Sequence, residues 1–154
     1  MKSIKLYNVI FPLWAIFYIP PILYFALIGN FIIDGTVIWV TLLLNKIRLE
    51  RIGLLIKITQ AWCFGFLVDF LGTSIIGSLS MNVGLISEYN PWENFLSALI
   101  YLSTVLVCGL IISVINYKLF KKDIIDKKIR LILGIAMGLI TAPWTFLIPT
   151  AWFY

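Results

Sequence analysis

The sequence predicts an all-α, polytopic integral membrane protein, built as a bundle of four transmembrane helices. The 154 residues are 62% hydrophobic and only 12% charged, and the mean hydropathy is +1.03, whereas soluble domains carry about 25% charged residues. The apolar residues also form stretches of roughly 20 residues or more, the length that a helix needs to cross a hydrocarbon core about 30 Å thick. Because every polar stretch is short, residues 1–154 are expected to form a single transmembrane domain.

The first apolar stretch, residues 7–44, is too long for one straight crossing and barely long enough for two. Pro20 and Pro21 interrupt it, because proline breaks a helix interior and its preceding residue avoids helical geometry. We therefore predict a span over residues 22–44, preceded at 11–19 by a re-entrant or interfacial segment on the non-cytoplasmic side. The alternative is a five-span protein with its N-terminus inside, which would agree better with Lys2 and Lys5.

Three further spans are predicted at residues 58–79, 95–117 and 129–148, each free of Lys and Arg near its centre. Pro143 and Pro149 lie near the end of the last span. Since proline cannot continue an undisturbed helix, the final turn there is expected to kink or to end early.

The twelve Lys and Arg residues give the orientation. Four lie within residues 46–57 and six within 118–130, whereas the interval 58–117 contains none. The positive-inside rule therefore places loops 45–57 and 118–128 in the cytoplasm, and loop 80–94, which carries Glu88 and Glu93, on the other side. Anionic lipid headgroups are the expected partners of the basic loops, and no nucleic acid is expected.

Two aspartates, Asp34 and Asp69, lie within the first two predicted spans, and a carboxylate there costs roughly 2.5–3.5 kcal/mol on insertion scales. Asp34 precedes Lys46 by twelve residues and Asp69 follows Lys57 by twelve, which puts both about 18 Å from the cytoplasmic helix ends. The sequence therefore predicts an acidic pair at one level, near the middle of the bilayer. Two adjacent carboxylates cannot both be ionised cheaply in a low dielectric, and protonation or a bound cation would relieve this.

Neighbouring polar residues extend the predicted cation or proton site to Asn30 and Thr73, each one helical turn from an aspartate. Small residues at a spacing of four are predicted to let helices approach closely. They are Ala61, Gly65 and Gly77 on the second span and Gly134, Gly138 and Ala142 on the fourth. The competing interpretation is that the protonated aspartates hydrogen-bond to Asn30, Thr36, Thr73 or Ser74 and only lock the helices together.

Several chemistries are not supported by the residues. The chain has no histidine, which removes the usual haem ligand and the common general base of hydrolases. Cys63 and Cys108 are isolated in different spans, and no phosphate-binding glycine loop is present. The settings of the two aspartates do not resemble the motifs of intramembrane aspartyl proteases. We expect no enzymatic activity, no cofactor and no metal site.

Two functions from different classes remain open. The first is a small channel or transporter-like protein, expected to be a homo-oligomer because four short helices rarely enclose a pathway, with Asp34 and Asp69 hosting a cation or proton. The second is a non-catalytic subunit or anchor of a larger membrane assembly. In that case Lys121, Lys122, Lys127 and Lys128 would contact a cytoplasmic partner or lipid. The Ile-, Lys- and Asn-rich composition favours a prokaryotic plasma membrane.

Overall fold

A computed structural model describes residues 20–81, 86–87 and 89–149. These residues form the helices α1 (Pro20–Leu44), α2 (Arg51–Met81), α3 (Phe95–Leu119) and α4 (Lys127–Ile140), then a 3₁₀ helix at Trp144–Leu147, and they contain no β-strand. Four of the segments are long and apolar enough to cross a membrane. The predicted all-α class with four spans is confirmed, and the chain is a small multi-pass membrane protein. The segment predicted at 11–19, Lys2 and Lys5 lie outside the described residues.

The first two helices begin before the spans assigned to them. α1 starts at Pro20, so that the Pro-Pro pair lies in its first turn, where a missing N–H sacrifices no helical hydrogen bond. α2 starts at Arg51 rather than at residue 58 and contains 31 residues. At 1.5 Å per residue it is about 46 Å long, which exceeds the hydrocarbon thickness. Its basic first turns therefore reach beyond the apolar layer, or the helix tilts.

The last span changes its helical type at Pro143. α4 ends at Ile140 and the chain resumes as the 3₁₀ helix, because a proline ring clashes with the carbonyl group four residues earlier. That carbonyl belongs to Leu139, and it accepts a hydrogen bond from the indole Nε1 of Trp144 at 2.7 Å instead. The two helical pieces together give an apolar span of 21 residues, Lys127–Leu147.

The helices close into a ring. Each packs against the next along the chain, and α1 also packs against α4. Two buried clusters fill the interior. One includes Ile38, Phe120 and Leu133, and the other includes Ile76, Tyr101 and Phe146. The side facing lipid is apolar, as a bilayer requires.

Residues 45–50 and 120–126 lie at one end of the bundle, which is the basic end. Lys57 connects the two segments. Its ammonium group lies 3.0 Å from the carboxylate of Asp123 and donates to the carbonyl oxygen of Leu119 at 2.8 Å. An ion pair that is partly exposed to solvent contributes at most about 1 kcal/mol. The contact nevertheless places the two basic loops at the same end of the bundle, as a positive-inside topology requires. That this end faces the cytoplasm stays a prediction.

The opposite end is organised around the start of α3. Asn94 caps this helix by accepting from the backbone N–H of Ser97 at 2.7 Å. The Ser97 hydroxyl in turn accepts from the N–H of Ser87 at 3.0 Å, and the Tyr101 hydroxyl donates to the Ser87 carbonyl oxygen at 3.1 Å. These bonds hold the connection between α2 and α3 against the helix ends.

Candidate functional site

Asp34 and Asp69 are both inside the bundle, with 4% of each residue exposed. Asp34 is the eleventh of 21 residues in the apolar span of α1, Tyr24–Leu44. Asp69 lies near the middle of α2. The two carboxyl groups are close enough for a direct electrostatic interaction. The structure thus brings together the two acids that the sequence singles out.

Asp34 packs against α2 beside Gly65. Its Oδ2 atom lies 3.6 Å from the position that a Cβ atom on Gly65 would occupy, which is an ordinary contact distance. Gly65 is one turn nearer the basic end than Asp69, and a helical side chain leans toward the turn that precedes it. The contact therefore places the Asp34 carboxyl group within about one helical turn of Asp69.

Asp34 has a polar neighbour from the end of α4. The Thr141 side chain is within hydrogen-bonding reach of the Asp34 carboxyl group, and its hydroxyl group donates to the Met137 carbonyl oxygen at 2.8 Å. Because a hydroxyl group carries one hydrogen, Thr141 donates fully to only one of these two acceptors at a time. Thr141 therefore links the end of α4 to the Asp34 carboxyl group on α1.

Asp69 is less well satisfied. Its Oδ1 atom is buried and makes no hydrogen bond to the described residues. The Thr73 hydroxyl, one turn further along α2, donates to the Asp69 backbone carbonyl oxygen at 2.9 Å and not to the carboxylate. An unsatisfied buried polar atom costs about 1–3 kcal/mol, and a charged one more. Asp69 is accordingly the position where the bundle most needs a further partner.

Helix α3 closes the site beside Asp69. The Cys108 side chain interacts electrostatically with Asp69 and lies 3.7 Å from the Val68 carbonyl oxygen. It also lies 2.9 Å from the point where a Cβ atom on Gly72 would be, so a side chain at that position would displace it. Gly72 and Cys108 line an outward-facing apolar groove of about 320 Å³ between α2 and α3.

The other hydroxyl groups predicted near the acids are engaged elsewhere. Thr36 donates to the Ile32 carbonyl oxygen at 2.7 Å, and Ser74 donates to the Phe70 carbonyl oxygen at 2.9 Å. Asn30, one turn before Asp34, is partly exposed. Thr141 was missed at the sequence level, although it is a polar residue within an apolar span, because nothing in the sequence indicates that the end of α4 meets the middle of α1.

The small residues are concentrated where helices approach. A Cβ atom on Gly134 would lie 2.7 Å from the Ser113 carbonyl oxygen, and one on Gly138 would collide with the Ser113 hydroxyl and the Gly109 carbonyl oxygen. Ala142 meets Gly109 on α3. On α2, Ala61 and Gly77 are buried as well.

The basic end presents both exposed and buried cations. The side chains of Lys121, Lys122, Lys127 and Lys128 are exposed. Arg130, by contrast, is 5% exposed, its guanidinium lies 5.0 Å from the centre of the Tyr117 ring, and its Nη1 donates to the Lys121 carbonyl oxygen at 3.4 Å. No feature of the sequence distinguishes Arg130 from the exposed lysines beside it.

Within the described residues, no three Cys, Asp or Glu side chains are grouped to hold a metal ion. Comparison with protein-family models, with curated proteins and with solved structures finds no match to this chain.

Proposed function

We propose that this small multi-pass membrane protein passes a cation or a proton across the bilayer, and that Asp34 and Asp69 host it on the way. The observation that carries the proposal is the buried Asp69 Oδ1 atom, which lacks a partner among the described residues and lies beside a second buried acid. Acidic side chains within a membrane are costly, and they usually mark an ion or proton pathway. A bound proton or cation would supply the missing partner.

The competing interpretation, in which the acids only lock helices, has less support. Buried polar side chains stabilise helix contacts only when their hydrogen bonds are satisfied, because a buried network with missing hydrogen bonds is less stable than an apolar core. Asp34 does reach Thr141 at the end of α4, but the Asp69 Oδ1 atom has no partner among the described residues. The hydroxyl groups of Thr73 and Ser74 donate to helix carbonyl oxygens, and the glycine contacts between α3 and α4 supply close packing without the acids.

Flux through purified protein in liposomes tests the proposal. We expect a potential-driven proton or alkali-cation flux in the wild type, and a fall of at least tenfold in both Asp34→Asn and Asp69→Asn, because a neutral amide can neither bind a cation electrostatically nor carry the proton. Glu50→Gln is the matched control, since Glu50 is an exposed acid at the basic end. An inert wild-type protein, or aspartate variants that conduct at the wild-type rate, would rule the proposal out.

The proposal includes assembly of several copies in a prokaryotic plasma membrane. Four helices leave a large apolar surface outside the bundle, including Phe25, Leu71 and Leu110, which are 78%, 60% and 66% exposed. Lipid or a second copy can cover this surface. Measuring the mass of the protein in nanodiscs decides between a monomer and a homo-oligomer.

The alternative proposal, a membrane subunit or anchor, is favoured by one observation, the four exposed lysines at the basic end. Replacing Lys121, Lys122, Lys127 and Lys128 together by glutamine is then expected to abolish co-purification of a defined stoichiometric partner. Asp69→Asn should leave that partner bound. A partner set that is unchanged by the quadruple replacement would count against the alternative.

A further inference from the structure

Four buried side-chain atoms have no hydrogen-bond partner among the described residues. They are Asp69 Oδ1, Ser80 Oγ, Asn116 Oδ1 and Arg130 Nε. Their residues are each at least nine-tenths buried. Native structures leave few such atoms unpaired, and each one requires a specific explanation. Their positions along the helices supply one.

The four atoms are spread over the depth of the bundle. Ser80 follows Asp69 on α2 by eleven residues, about 16 Å toward the opposite end. Arg130 precedes Thr141, the neighbour of Asp34, by eleven residues, about 16 Å toward the basic end. The two distances together match a hydrocarbon core about 30 Å thick. The unpaired atoms therefore lie near both ends and near the middle of the hydrocarbon core.

Further buried polar groups lie between these points. Thr73 is fully buried between Asp69 and Ser80 on α2, and Thr41 is buried seven residues beyond Asp34 on α1, on the same helix face. Asn116 lies on α3 eight residues beyond Cys108, about 12 Å toward the basic end. We call these side chains, together with the acid pair, the polar track.

The track offers a metal ion no complete coordination shell. Within the residues that the structure describes, no three Cys, Asp or Glu side chains are grouped to hold one. Moreover, α1 and α2 are continuous helices at the acids, so their carbonyl groups are used within the helices and cannot replace the shell of a cation as filter carbonyls do. Single water molecules, by contrast, are the usual partners of unsatisfied buried polar atoms.

We propose that the transported species is the proton, and that it moves inside one protomer through water held by the polar track, with Asp69 and Asp34 as the carriers. This inference rests on the proposed function. A hydronium ion gives its proton to an Asp69 carboxylate oxygen, leaving water and a neutral carboxyl group. The carboxyl group then releases the proton toward Asp34 and the far half of the track, and the carboxylate is restored. The groups that face the pair are Cys108 from α3 and Thr141 after α4.

Flux measured with an entrapped pH dye and, in parallel, with sodium and potassium probes tests the inference. Ser80→Val and Asn116→Leu remove the polar atoms above and below the acids, and each is expected to slow proton flux about tenfold, with Ser80→Ala as a milder variant should the larger side chain prevent folding. Ser78→Val is the matched control, because Ser78 is exposed on the same helix. Neither metal ion should cross in the wild type.

The outcomes separate the inference from the proposed function. Proton flux that is lost in Asp69→Asn but unchanged in Ser80→Val, Ser80→Ala and Asn116→Leu overturns the track and leaves the proposed function standing. Aspartate-dependent sodium or potassium flux overturns the choice of the proton in the same way. Absence of every flux in the wild type removes the proposed function itself.

Mixed preparations test whether the pathway lies inside one protomer. Wild-type chains co-expressed with Asp69→Asn chains should give proton flux proportional to the wild-type fraction, whatever the oligomeric state. A fall steeper than linear would show that several copies contribute acids to one pathway and would overturn this part of the inference.

Discussion

Replacing Gly138 with alanine is expected to lower the free energy of unfolding by about 3 kcal/mol, at the upper end of the range for overpacking a core. A Cβ atom at this position would overlap the Ser113 hydroxyl and the Gly109 carbonyl oxygen. The hydroxyl can rotate away, whereas the carbonyl belongs to the α3 backbone and can yield only if the two helices separate. Glycine contacts of this kind are what allow membrane helices to pack closely.

Thermal unfolding in detergent measures the effect. For a chain of this size about 3 kcal/mol corresponds to a fall in the midpoint of roughly 6–12 °C. Gly29→Ala is the matched control, because a Cβ atom on Gly29 would meet nothing within 4 Å and alanine favours the helix by up to about 1 kcal/mol. Equal midpoints for Gly138→Ala and the wild type would show that α3 and α4 are not held by this contact.

The sequence predicted the class of fold well because the membrane imposes it. A long apolar stretch must form a helix, since every backbone polar group in hydrocarbon has to be satisfied within its own segment. The start of α2 at Arg51 was not foreseen, because helical structure continues past the apolar boundary wherever the following residues favour it. Hydropathy identifies the residues that lie in the hydrocarbon core, but it does not identify the residues at which the helix begins and ends.

The site was only partly predictable. Asp34 and Asp69 are conspicuous in any hydropathy profile, and short loops make their helices neighbours, so their proximity follows from the sequence. The contact of Asp34 with Gly65 and the contribution of Thr141 depend on how the helices pack against each other. The burial of Arg130 was concealed by its place at the end of the basic segment 118–130, where an exposed side chain is the ordinary expectation.

Asp69→Asn is expected to raise the thermal stability of the protein while it removes the flux. In alkaline buffer, where the carboxyl group is ionised, the variant keeps the shape of the side chain and eliminates a charge that in a membrane interior costs roughly 2.5–3.5 kcal/mol. The buried Oδ1 atom has no partner among the described residues, so little is lost to offset this gain. We expect the free energy of unfolding to rise by about 2 kcal/mol, a shift of roughly 4–8 °C in the midpoint.

The sign of this shift separates a working site from a structural lock. If the protonated Asp69 held helices together through hydrogen bonds of its carboxyl group, the amide could not donate in place of the carboxyl O–H with the same geometry, and the midpoint would fall, because a typical hydrogen bond contributes about 0.5–1.5 kcal/mol. If Asp69 is instead retained for function at a cost to stability, its replacement raises the midpoint.

Thr73→Val, measured in parallel, controls for the loss of a polar group at this depth. The Thr73 hydroxyl donates only to the backbone of its own helix, so its loss should change the midpoint little. A midpoint for Asp69→Asn several degrees below both the wild type and Thr73→Val would therefore identify the acid pair as a lock.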